Sequence, residues 1–368
     1  MTSRGMNVAI FLVIAELVKY TPSGGVKTQF DRRLAMFHAY AASSPDADFV
    51  TFEFDPGPLG HDEVEVAVEY CGICHSDLSM KKNDWGMTAY PFVGGHEVAG
   101  RIVALGEGVA GLGVGQRVGI GWTAFSCLRC DQCQSGHQNR CLQAQGTIVG
   151  RHGGFADRVR AQAAWTIPIP DGLESVDCGP LFCGGLTVFE PFVANNILPT
   201  ARVAVVGIGG LGHMALQFAR AWGCEVTAFS TSPDKEEEAH QMGAHHFLNS
   251  RDTEALAGVA GSFDMVLVTV NAPLDWDAYI NTLRPGGKLH LVGAAEKITA
   301  TVFPLILAQR SIGGSPTGSI VRAKEMLDFS ARHGIKPMIE TYPMSDLNTA
   351  MDHLEAGNAR YRIVLTAG

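Results

Sequence analysis

Four cysteines within a run of 15 residues constrain the fold of this chain more than any other feature of its sequence. They follow the spacing C-x2-C-x2-C-x7-C in a mostly polar segment, at Cys127, Cys130, Cys133 and Cys141. Four thiolates placed so close together can surround one tetrahedral metal ion, and a set of four sulfurs suits Zn²⁺ best. Such a site leaves no position for a substrate. The spacing therefore predicts a structural zinc lobe over residues 127–141.

Three further residues with metal-binding side chains flank this lobe along the chain. Cys74 stands in CGICHSD, His96 in GGHEVAG and Cys183 in PLFCGG. Zinc with three protein ligands keeps a fourth position open for the oxygen of a substrate or of water, where it acts as a Lewis acid. A closed site beside an open one predicts an enzyme that uses zinc in catalysis.

The neighbours of these ligands suit supporting roles. Glu97 follows His96 and is predicted to be a further or exchanging ligand, whereas Asp77 can accept a hydrogen bond from the second ring nitrogen of His96. Ser76 lies two residues after Cys74, where its hydroxyl can touch the substrate oxygen and pass on a proton.

Composition bounds the class of protein. The chain has 368 residues, enough for two domains, and its formal charge of −9 argues against a nucleic-acid partner, because phosphate binding needs a basic surface. Clustered cysteines at metal spacing indicate zinc in a reducing compartment, so we expect a cytoplasmic protein. The remaining cysteines, Cys71, Cys178 and Cys224, are interpreted as core thiols, with a CxxC redox pair of Cys71 and Cys74 as the alternative.

Residues 1–35 need a separate interpretation. The apolar run over residues 7–18 is too short to cross a bilayer, so we expect no membrane partner. It resembles a signal peptide cleaved near Ala41, but such cleavage would remove the predicted first strand, residues 37–40. We favour an N-terminal extension, either natural or upstream of a true start at Met36, over a signal peptide.

Hydrophobic patterns divide the rest of the chain into an all-β part and an α/β part. Residues 36–183 contain short strands between glycines and prolines, which is typical of a barrel-like domain with the metal-binding segments as loops. Residues 184–319 alternate strands and helices, the pattern of a doubly wound parallel sheet. Residues 320–368, with one helix and two short strands, are expected to return to the first domain. The predicted strands include 63–68, 98–105, 115–120, 202–206, 225–229, 246–248, 265–270 and 287–292. The predicted helices of the α/β part are 184–196, 213–222, 233–242 and 276–283.

A glycine motif follows the first strand of the α/β part and opens a helix. In this context, Gly207 allows the tight turn, Gly209 lets the backbone approach a pyrophosphate, and Gly212 lets the helix pack on the strand. The intervening Gly210 and Leu211 complete the predicted loop, whose amides face the phosphates. The alternative is a glycine turn that binds no ligand.

The end of the next strand bears on the choice between NAD and NADP. An NAD site places an acid there to bind the ribose 2′-hydroxyl, whereas this chain has Ser230, Thr231, Ser232 and, slightly later, Lys235. Three hydroxyls and an amine can hold a 2′-phosphate, which an acid would repel. The segment favours NADPH, with a plain serine-rich turn as the alternative.

Together, six motifs resemble those of the zinc-dependent medium-chain alcohol dehydrogenases. They are CGICHSDLS, GGHEVAGRIVALGEGV, the four-cysteine lobe, LFCGGLTVFEP, VGIGGLGHMALQFARAWG and GNARYRIVL. The chain is most similar to the branch of the cinnamyl alcohol dehydrogenases, especially the bacterial broad-specificity NADPH-dependent aldehyde reductases.

The resemblance implies a GroES-like β-barrel catalytic domain, a Rossmann nucleotide-binding domain and an active site in the cleft between them. It also implies a homodimer paired through the nucleotide domains. By the same resemblance, Thr187 lies close to the nicotinamide. The family pattern implies these residue roles: catalytic zinc at Cys74, His96 and Cys183, structural zinc at the four lobe cysteines, and 2′-phosphate at Ser230, Ser232 and Lys235.

One position departs from the pattern of many relatives. They carry a histidine three residues after the position of Ser76, as the outer member of a proton relay, and this chain has Ser79. A hydroxyl can pass a proton but cannot store one near neutral pH. We therefore expect the relay to end in water.

The substrate pocket is expected to be aromatic and apolar. Trp85 and Trp122 stand in segments that match pocket-lining parts of the family, and Pro316 and Thr317 are predicted to close the pocket from the other side. The alternative is that the tryptophans pack the barrel. Medium or bulky aldehydes are favoured as substrates.

These features predict an NADPH-preferring alcohol dehydrogenase that works mainly as an aldehyde reductase, with two zinc ions per chain. One rival is a zinc-free double-bond or quinone reductase on the same fold, which would lack both cysteine sets. A second rival is a zinc-stabilised protein that senses NADPH without catalysis, which would not need the open Cys/His/Cys set with Ser76 beside it.

Overall fold

The structure is a computed structural model that describes residues 36–368. The predicted N-terminal extension, residues 1–35, lies outside the described residues. Among the helices of residues 36–368, none combines the length and apolar character that crossing a lipid bilayer requires.

Two large sheets, with helices around them, organise this part of the chain. The strands are β1 (Phe37–Ala41), β2 (Val50–Phe54), β3 (Glu63–Ile73), β4 (Glu97–Leu105), β5 (Arg117–Ile120), β6 (Thr123–Phe125), β7 (Gln145–Gly146), β8 (Arg158–Gln162), β9 (Ile167–Pro168), β10 (Arg202–Val206), β11 (Glu225–Ser230), β12 (His246–Asn249), β13 (Phe263–Val268), β14 (Leu283–Leu291), β15 (Ser311–Gly314), β16 (Ile339–Pro343) and β17 (Arg362–Thr366). The α-helices are α1 (His75–Lys82), α2 (Asp131–Gln134), α3 (Ser175–Pro180), α4 (Leu186–Ala194), α5 (Gly212–Trp222), α6 (Glu236–Gln241), α7 (Thr253–Gly258), α8 (Trp276–Asn281), α9 (Val302–Leu307), α10 (Ile320–His333) and α11 (Leu347–Glu355).

The first sheet joins the C-terminal strands to strands from the first half of the described chain, while β1 and β2 form a separate two-stranded sheet. The order of the first sheet is β16-β17-β3-β4-β5-β9, and β8 pairs with β3 as well. β17 runs antiparallel to β3, with Ile363 opposite Ile73 and Leu365 opposite Cys71. β3 is longer than the predicted strand over 63–68, because β4 and β17 offer hydrogen-bond partners on both sides of its second half. The C-terminal strands therefore belong to the same sheet as the metal-binding segments.

The second sheet is fully parallel, in the order β12-β11-β10-β13-β14-β15. Its central strand β10, with the sequence RVAVV, has helices on both faces, so its apolar residues are buried on both sides. This strand order is that of the doubly wound nucleotide-binding fold, so the predicted α/β class with a barrel-like domain is confirmed. Ligands of such sheets bind beyond the carboxyl ends of the strands, where the order reverses between β10 and β13.

Three details of the α/β part differ from the sequence predictions. β13 ends at Val268, and Thr269 turns back to donate from Oγ1 to the Val206 and Gly207 carbonyls at 2.9 and 3.0 Å. The predicted helix over 233–242 is a 3₁₀ turn, Pro233–Lys235, followed by α6. α3 and α4 are joined by one π-helical turn, Leu181–Gly185, which carries Cys183.

The core has one cluster in the first domain and one on each face of the parallel sheet. The cluster on one face also takes in α3, the π turn, α4 and α10, so it packs the connecting helices against the nucleotide sheet. Phe189 on α4 illustrates this packing, since its ring meets Phe218 of α5 and Phe329 of α10 at centroid distances of 5.6 and 5.7 Å. These helices hold the two domains together on one side and leave a cleft on the other.

Candidate active site

Three side chains that stand far apart in the sequence meet at the bottom of the interdomain cleft. Cys74 caps the N-terminus of α1 directly after β3, His96 immediately precedes β4, and Cys183 lies in the π turn. The Cys74 and Cys183 sulfurs are 3.9 Å apart, and His96 Nε2 lies 3.2 Å from the Cys183 sulfur. Tetrahedral zinc with Zn–S bonds of about 2.3 Å requires sulfurs about 3.8 Å apart, so these donors fit the ion.

Asp77 orients two of these three residues. Its buried carboxylate accepts from His96 Nδ1 at 3.0 Å, from the Gly95 N–H at 2.8 Å and from the Cys74 N–H at 2.9 Å. Because Nδ1 is held in this way, Nε2 of His96 points towards the sulfurs. Burial, the largest single effect, opposes the charged imidazole, but the Asp77 carboxylate and the Cys74 sulfur together raise the pKa of His96 well above its ordinary value. The expected orienting role of Asp77 agrees with these distances.

The Cys74 and Cys183 sulfurs share one hydrogen bond, which shifts their two pKa values in opposite directions. A hydrogen bond from the Cys183 thiol, stronger than the effect of burial, lowers the pKa of Cys74. The same hydrogen bond, together with burial, raises the pKa of Cys183. A cation between these groups would favour the thiolate of each, because metal ligands must be deprotonated.

A buried ion pair lies beside this cluster. Glu97 is fully buried, and Arg362, the first residue of β17, donates to Glu97 Oε1. The second carboxylate oxygen, Oε2, has no hydrogen-bond partner among the described residues. Burial raises the pKa of Glu97 to about 7, although Arg362 opposes this rise. One carboxylate oxygen of Glu97 lies within 4.8 Å of the donor atoms of Cys74, His96 and Cys183. With Oε2 left unpartnered, Glu97 fits an exchanging ligand of a cation.

Sequence reasoning missed Arg362. An arginine at the start of an apolar strand, in RYRIVL, resembles a surface residue, and its partner Glu97 is 265 positions away. The only local signal is that a second arginine, Arg360, stands two residues earlier.

Two serines and an aromatic pair surround the candidate metal position. Ser76 Oγ lies 3.7 Å from the Cys74 sulfur. The ring of Trp122 meets that of His96 edge to face at 5.1 Å, and the Trp85 ring meets Trp122 at 5.9 Å. Ser76, Ser79 and Trp85 line the cleft, which has a volume of about 440 Å³, whereas Trp122 is not among its lining residues.

The glycine loop forms the opposite wall of this cleft. Gly207 has a φ of 89°, which only glycine adopts without strain, and a Cβ at Gly212 would overlap the Gly207 carbonyl. A Cβ at Gly209 would meet nothing within 4 Å, so the backbone here is open to a ligand. Gly209, Gly210 and Leu211 all line the cleft.

The residues predicted to hold a 2′-phosphate lie around the end of β11. Ser230 Oγ accepts from the Ser232 N–H at 3.1 Å, and Lys235 Nζ donates to the Ile208 carbonyl at 2.8 Å. Lys235 lines the cleft, while Thr231 lines a neighbouring cavity between α7 and α8. Thr187 is buried on α4 and does not line the cleft.

Pro316 and Thr317 stand away from the lining of the cleft. Pro316 is exposed, and the Thr317 carbonyl accepts from Asn139 Nδ2 at 2.8 Å, so this loop contacts the four-cysteine lobe. Their role in the substrate pocket stays a prediction.

The four lobe cysteines form a compact cluster of sulfurs. Their Sγ atoms all lie within 4.8 Å of one another, with Cys127 3.9 Å from Cys133 and 3.5 Å from Cys141. Backbone N–H groups of Arg129 and Cys130 lower the pKa of Cys127 to about 6. A set of four sulfurs with no polar oxygen donor suits zinc.

The other thiols are buried, as predicted for core residues. Cys71 and Cys178 are fully buried, and Cys224 nearly so. Burial raises the pKa of Cys71 well above its ordinary value, which disfavours the thiolate that a redox pair with Cys74 would need.

Comparisons with known proteins give the same picture as this geometry. Residues 60–171 match the family described as alcohol dehydrogenase GroES-like domain, and residues 210–332 match the zinc-binding dehydrogenase family. An aldehyde reductase (AdhA) of Synechocystis sp. is 51% identical over 90% of this chain and 99% of its own length. A cinnamyl alcohol dehydrogenase of Rauvolfia serpentina is 39% identical over 89% of this chain and 94% of its own.

Two solved structures have the same fold. A cinnamyl alcohol dehydrogenase of Sorghum bicolor superposes with a TM-score of 0.86 at 34% identity, covering 90% of this chain and 97% of that one. The dehydrogenase CAD of Helicobacter pylori, solved in complex with NADP(H), gives a TM-score of 0.83 at 30% identity, covering 90% of this chain and 98% of that one.

Proposed function

This chain belongs to the zinc-dependent medium-chain alcohol dehydrogenase family, in the branch of the cinnamyl alcohol dehydrogenases and aldehyde reductases, and we propose that it is an NADPH-preferring aldehyde reductase. As an oxidoreductase of this family it interconverts alcohols and aldehydes. The observation that carries the finer proposal is the convergence of three buried donors, Cys74, His96 and Cys183, at one end of a cleft whose other wall is the glycine loop.

In this proposal Cys74, His96 and Cys183 hold one zinc ion, and Glu97 stands by as an exchanging ligand. The ion, when bound, supplies a Lewis acid that polarises the oxygen of the substrate. Asp77 keeps His96 in the tautomer that binds through Nε2. Arg362 balances the charge of Glu97, so that this carboxylate can remain buried beside two thiolates.

The cofactor is proposed to lie along the glycine loop. NADPH, when bound, supplies the hydride. The N-terminus of α5 and the loop amides suit its pyrophosphate, and the hydroxyl of Ser230 with the amine of Lys235 suits its 2′-phosphate. The absence of an acid at the last residue of β11 supports NADPH over NADH. Thr187 is proposed to lie near the nicotinamide.

Ser76 is the proposed proton donor to the product alcohol. Its Oγ is close to the Cys74 sulfur and faces the cleft, so it can reach an oxygen held at the open position. Ser79 also lines the cleft and is half-buried, and the relay is proposed to end in water there. Trp85 covers this end of the cleft, which favours medium or bulky apolar aldehydes.

A second zinc ion is proposed in the four-cysteine lobe. The enzyme is proposed to be cytoplasmic, because the six cysteines of the two candidate metal sites must stay reduced to bind metal. The domain boundaries proposed are 36–183, 184–319 and 320–368.

The enzyme is also proposed to be a homodimer paired through α9 and β15. β15 is the edge strand of the parallel sheet, and the helix before it exposes Val302, Phe303, Ile306 and Leu307 by 62 to 75%. An exposed edge strand beside an apolar helix is a liability that a second copy can cover with a self-complementary contact.

One experiment tests the proposal. A panel of aliphatic and aromatic aldehydes is assayed with NADPH and NADH in parallel, on wild type and on Cys74→Ala, with metal analysis of both proteins. We expect two zinc ions per wild-type chain, higher kcat/KM with NADPH, and a folded Cys74→Ala variant that has lost turnover. Turnover by Cys74→Ala at the wild-type rate would exclude zinc catalysis, and a folded wild type that binds NADPH but reduces no aldehyde would indicate a sensor.

A further inference from the structure

The C-terminal segment of the first sheet reaches into the cofactor loops through Tyr361. The Tyr361 ring is nearly buried and stacks on that of His213, from α5, at a centroid distance of 5.0 Å and an angle of 13°. Its hydroxyl donates to Glu238 of α6. Tyr361 thus binds two helices of the nucleotide domain, although the next residue, Arg362, begins β17.

Two cations from different domains share this aromatic ring. Lys235 Nζ lies 5.2 Å from the ring centroid and the Arg360 guanidinium carbon 5.6 Å from it. The two charges are close enough to affect each other, since burial first and Arg360 second lower the pKa of Lys235. The backbone N–H of Lys235 also donates to the Ser232 carbonyl at 3.1 Å. Two like charges held on one ring next to this serine-containing turn indicate a site for a doubly charged anion.

Arg360 forms a weak ion pair with Asp234, which a stronger anion can replace. The guanidinium lies 3.9 Å from Asp234 Oδ2, and the two side chains are 47 and 71% exposed. An exposed pair at this distance contributes little to stability. A phosphate monoester carries nearly two charges and offers three oxygens to the planar guanidinium, so it competes well with a single exposed carboxylate.

We propose that Arg360 is a further specificity-determining residue for the 2′-phosphate, which it binds together with Lys235 after leaving Asp234. The inference rests on the proposed preference for NADPH. Arg360 belongs to the segment that pairs with the metal-binding sheet, so the contact would tie the cofactor phosphate to the catalytic domain two residues from Arg362.

The test measures binding of two probes that lack the nicotinamide, 2′,5′-ADP and 5′-AMP, by titration calorimetry on the full zinc-loaded chain. We expect wild type to bind 2′,5′-ADP more tightly than 5′-AMP. In Arg360→Ala the Kd for 2′,5′-ADP should rise about tenfold, as expected for loss of one charged hydrogen-bonded contact, with the Kd for 5′-AMP unchanged. Added salt should reduce the difference in Kd for 2′,5′-ADP between wild type and Arg360→Ala, because salt screens the lost charge interaction.

Three further variants make the test specific. Arg360→Lys keeps the charge but not the planar fork, so its Kd for 2′,5′-ADP should fall between those of wild type and Arg360→Ala. Asp234→Asn removes the competing carboxylate and should bind 2′,5′-ADP at least as tightly as wild type. Arg332→Ala removes an exposed arginine at the end of α10 and should leave both affinities unchanged.

The possible outcomes separate this inference from the proposed function. An unchanged Kd for 2′,5′-ADP in Arg360→Ala, or an equal loss of affinity for both probes, would overturn the role of Arg360 while NADPH preference stands. Weaker binding of 2′,5′-ADP by Asp234→Asn would also overturn the role of Arg360, because it would show that the Arg360–Asp234 ion pair supports the site instead of competing with the phosphate. Equal affinities of wild type for the two probes would instead refute the NADPH preference itself.

Discussion

At the residue scale, Asp77 decides how well the candidate zinc ligands are placed. Three donors converge on its two oxygens, and Asp77→Asn would set an NH₂ group against at least one of them. Loss of an orienting carboxylate of this kind lowers zinc affinity about 10- to 100-fold. We expect correspondingly faster zinc release to a chromogenic chelator.

The exposed Asp84, just after α1, provides the control. Asp84→Asn changes the same functional group outside the cluster and should release zinc at the wild-type rate. Equal release from wild type and Asp77→Asn would show that the ligands need no such support.

A second residue-scale prediction concerns pH and His213. This side chain is fully buried, with Nδ1 3.1 Å from the Gly209 carbonyl and Nε2 accepting from the Met338 N–H at 3.2 Å, and burial lowers its pKa to about 3. In the unfolded chain the pKa is about 6.5, so the unfolded state binds more protons between these values. The free energy of unfolding should therefore fall as pH drops below about 6.5, by up to about 1.4 kcal/mol per pH unit from this group.

Denaturant unfolding of wild type and His213→Gln between pH 7 and pH 5 checks this. The variant should be less stable at pH 7 but should lose less stability on acidification. His290, whose pKa burial lowers to about 4, contributes a similar term in both proteins, so the slope of the variant is reduced and not abolished. If the free energy of unfolding fell equally with pH in wild type and His213→Gln, His213 would not be held neutral in the folded protein.

The identity of the metal-binding side chains was the part of the site that the sequence predicted best. Cysteine and histidine at metal-binding spacing indicate ligands before the fold is known. The set predicted from the sequence, Cys74, His96, Glu97 and Cys183, does come together in the structure. Arg360 and Arg362 carry no such local signal, because their partners Asp234 and Glu97 lie far away in the sequence.

At the element scale, the four-cysteine lobe is the segment whose stability depends most on the proposed second zinc ion. Its helix α2 has only four residues, and among these only Cys133 is buried, so the segment has almost no apolar core. Cys130→Ser should reduce the zinc content from two ions to one per chain and lower Tm by several degrees, because binding a structural zinc contributes folding free energy. Metal analysis and thermal unfolding measure both effects.

Leu142→Ser is the matched control for the lobe. Leu142 follows Cys141 directly and is completely exposed, so this variant should keep two zinc ions and the wild-type Tm. A zinc content of two in Cys130→Ser would contradict the structural site.

The hydrophobic pattern of a sequence predicts a helix or strand well when the same surroundings continue along its whole length. The buried strand β10 and the amphipathic helix α5 match their predictions to within a residue, since each repeats one pattern from end to end. The second half of β3 and the whole of α11 escaped prediction. β3 continues because β17 pairs with it from the far end of the chain, which no local pattern reveals.

At the scale of the whole molecule, the cleft depends on how two separately predictable domains are placed. Sequence motifs identify the candidate zinc ligands on one domain and the glycine loop on the other. Their separation across the cleft is set by the packing of α4, α5 and α10, which involves many weak contacts between distant segments. Trp85 lines this cleft, whereas Trp122, Pro316 and Thr317 do not, and the place of all four in a substrate pocket stays a prediction.

The last prediction concerns assembly. If α9 and β15 form the dimer contact, two carboxylates on the apolar face of α9, in Phe303→Glu/Ile306→Glu, would bring like charges together across a symmetric interface and remove apolar area from it. Light scattering after gel filtration should then give a monomer for the variant and a dimer for wild type at the same micromolar concentration. Val114→Glu, a comparably exposed apolar residue on the first domain, should stay dimeric. A dimeric double variant would place the contact elsewhere, because a buried pair of carboxylates facing its own copy costs more than such an interface can supply.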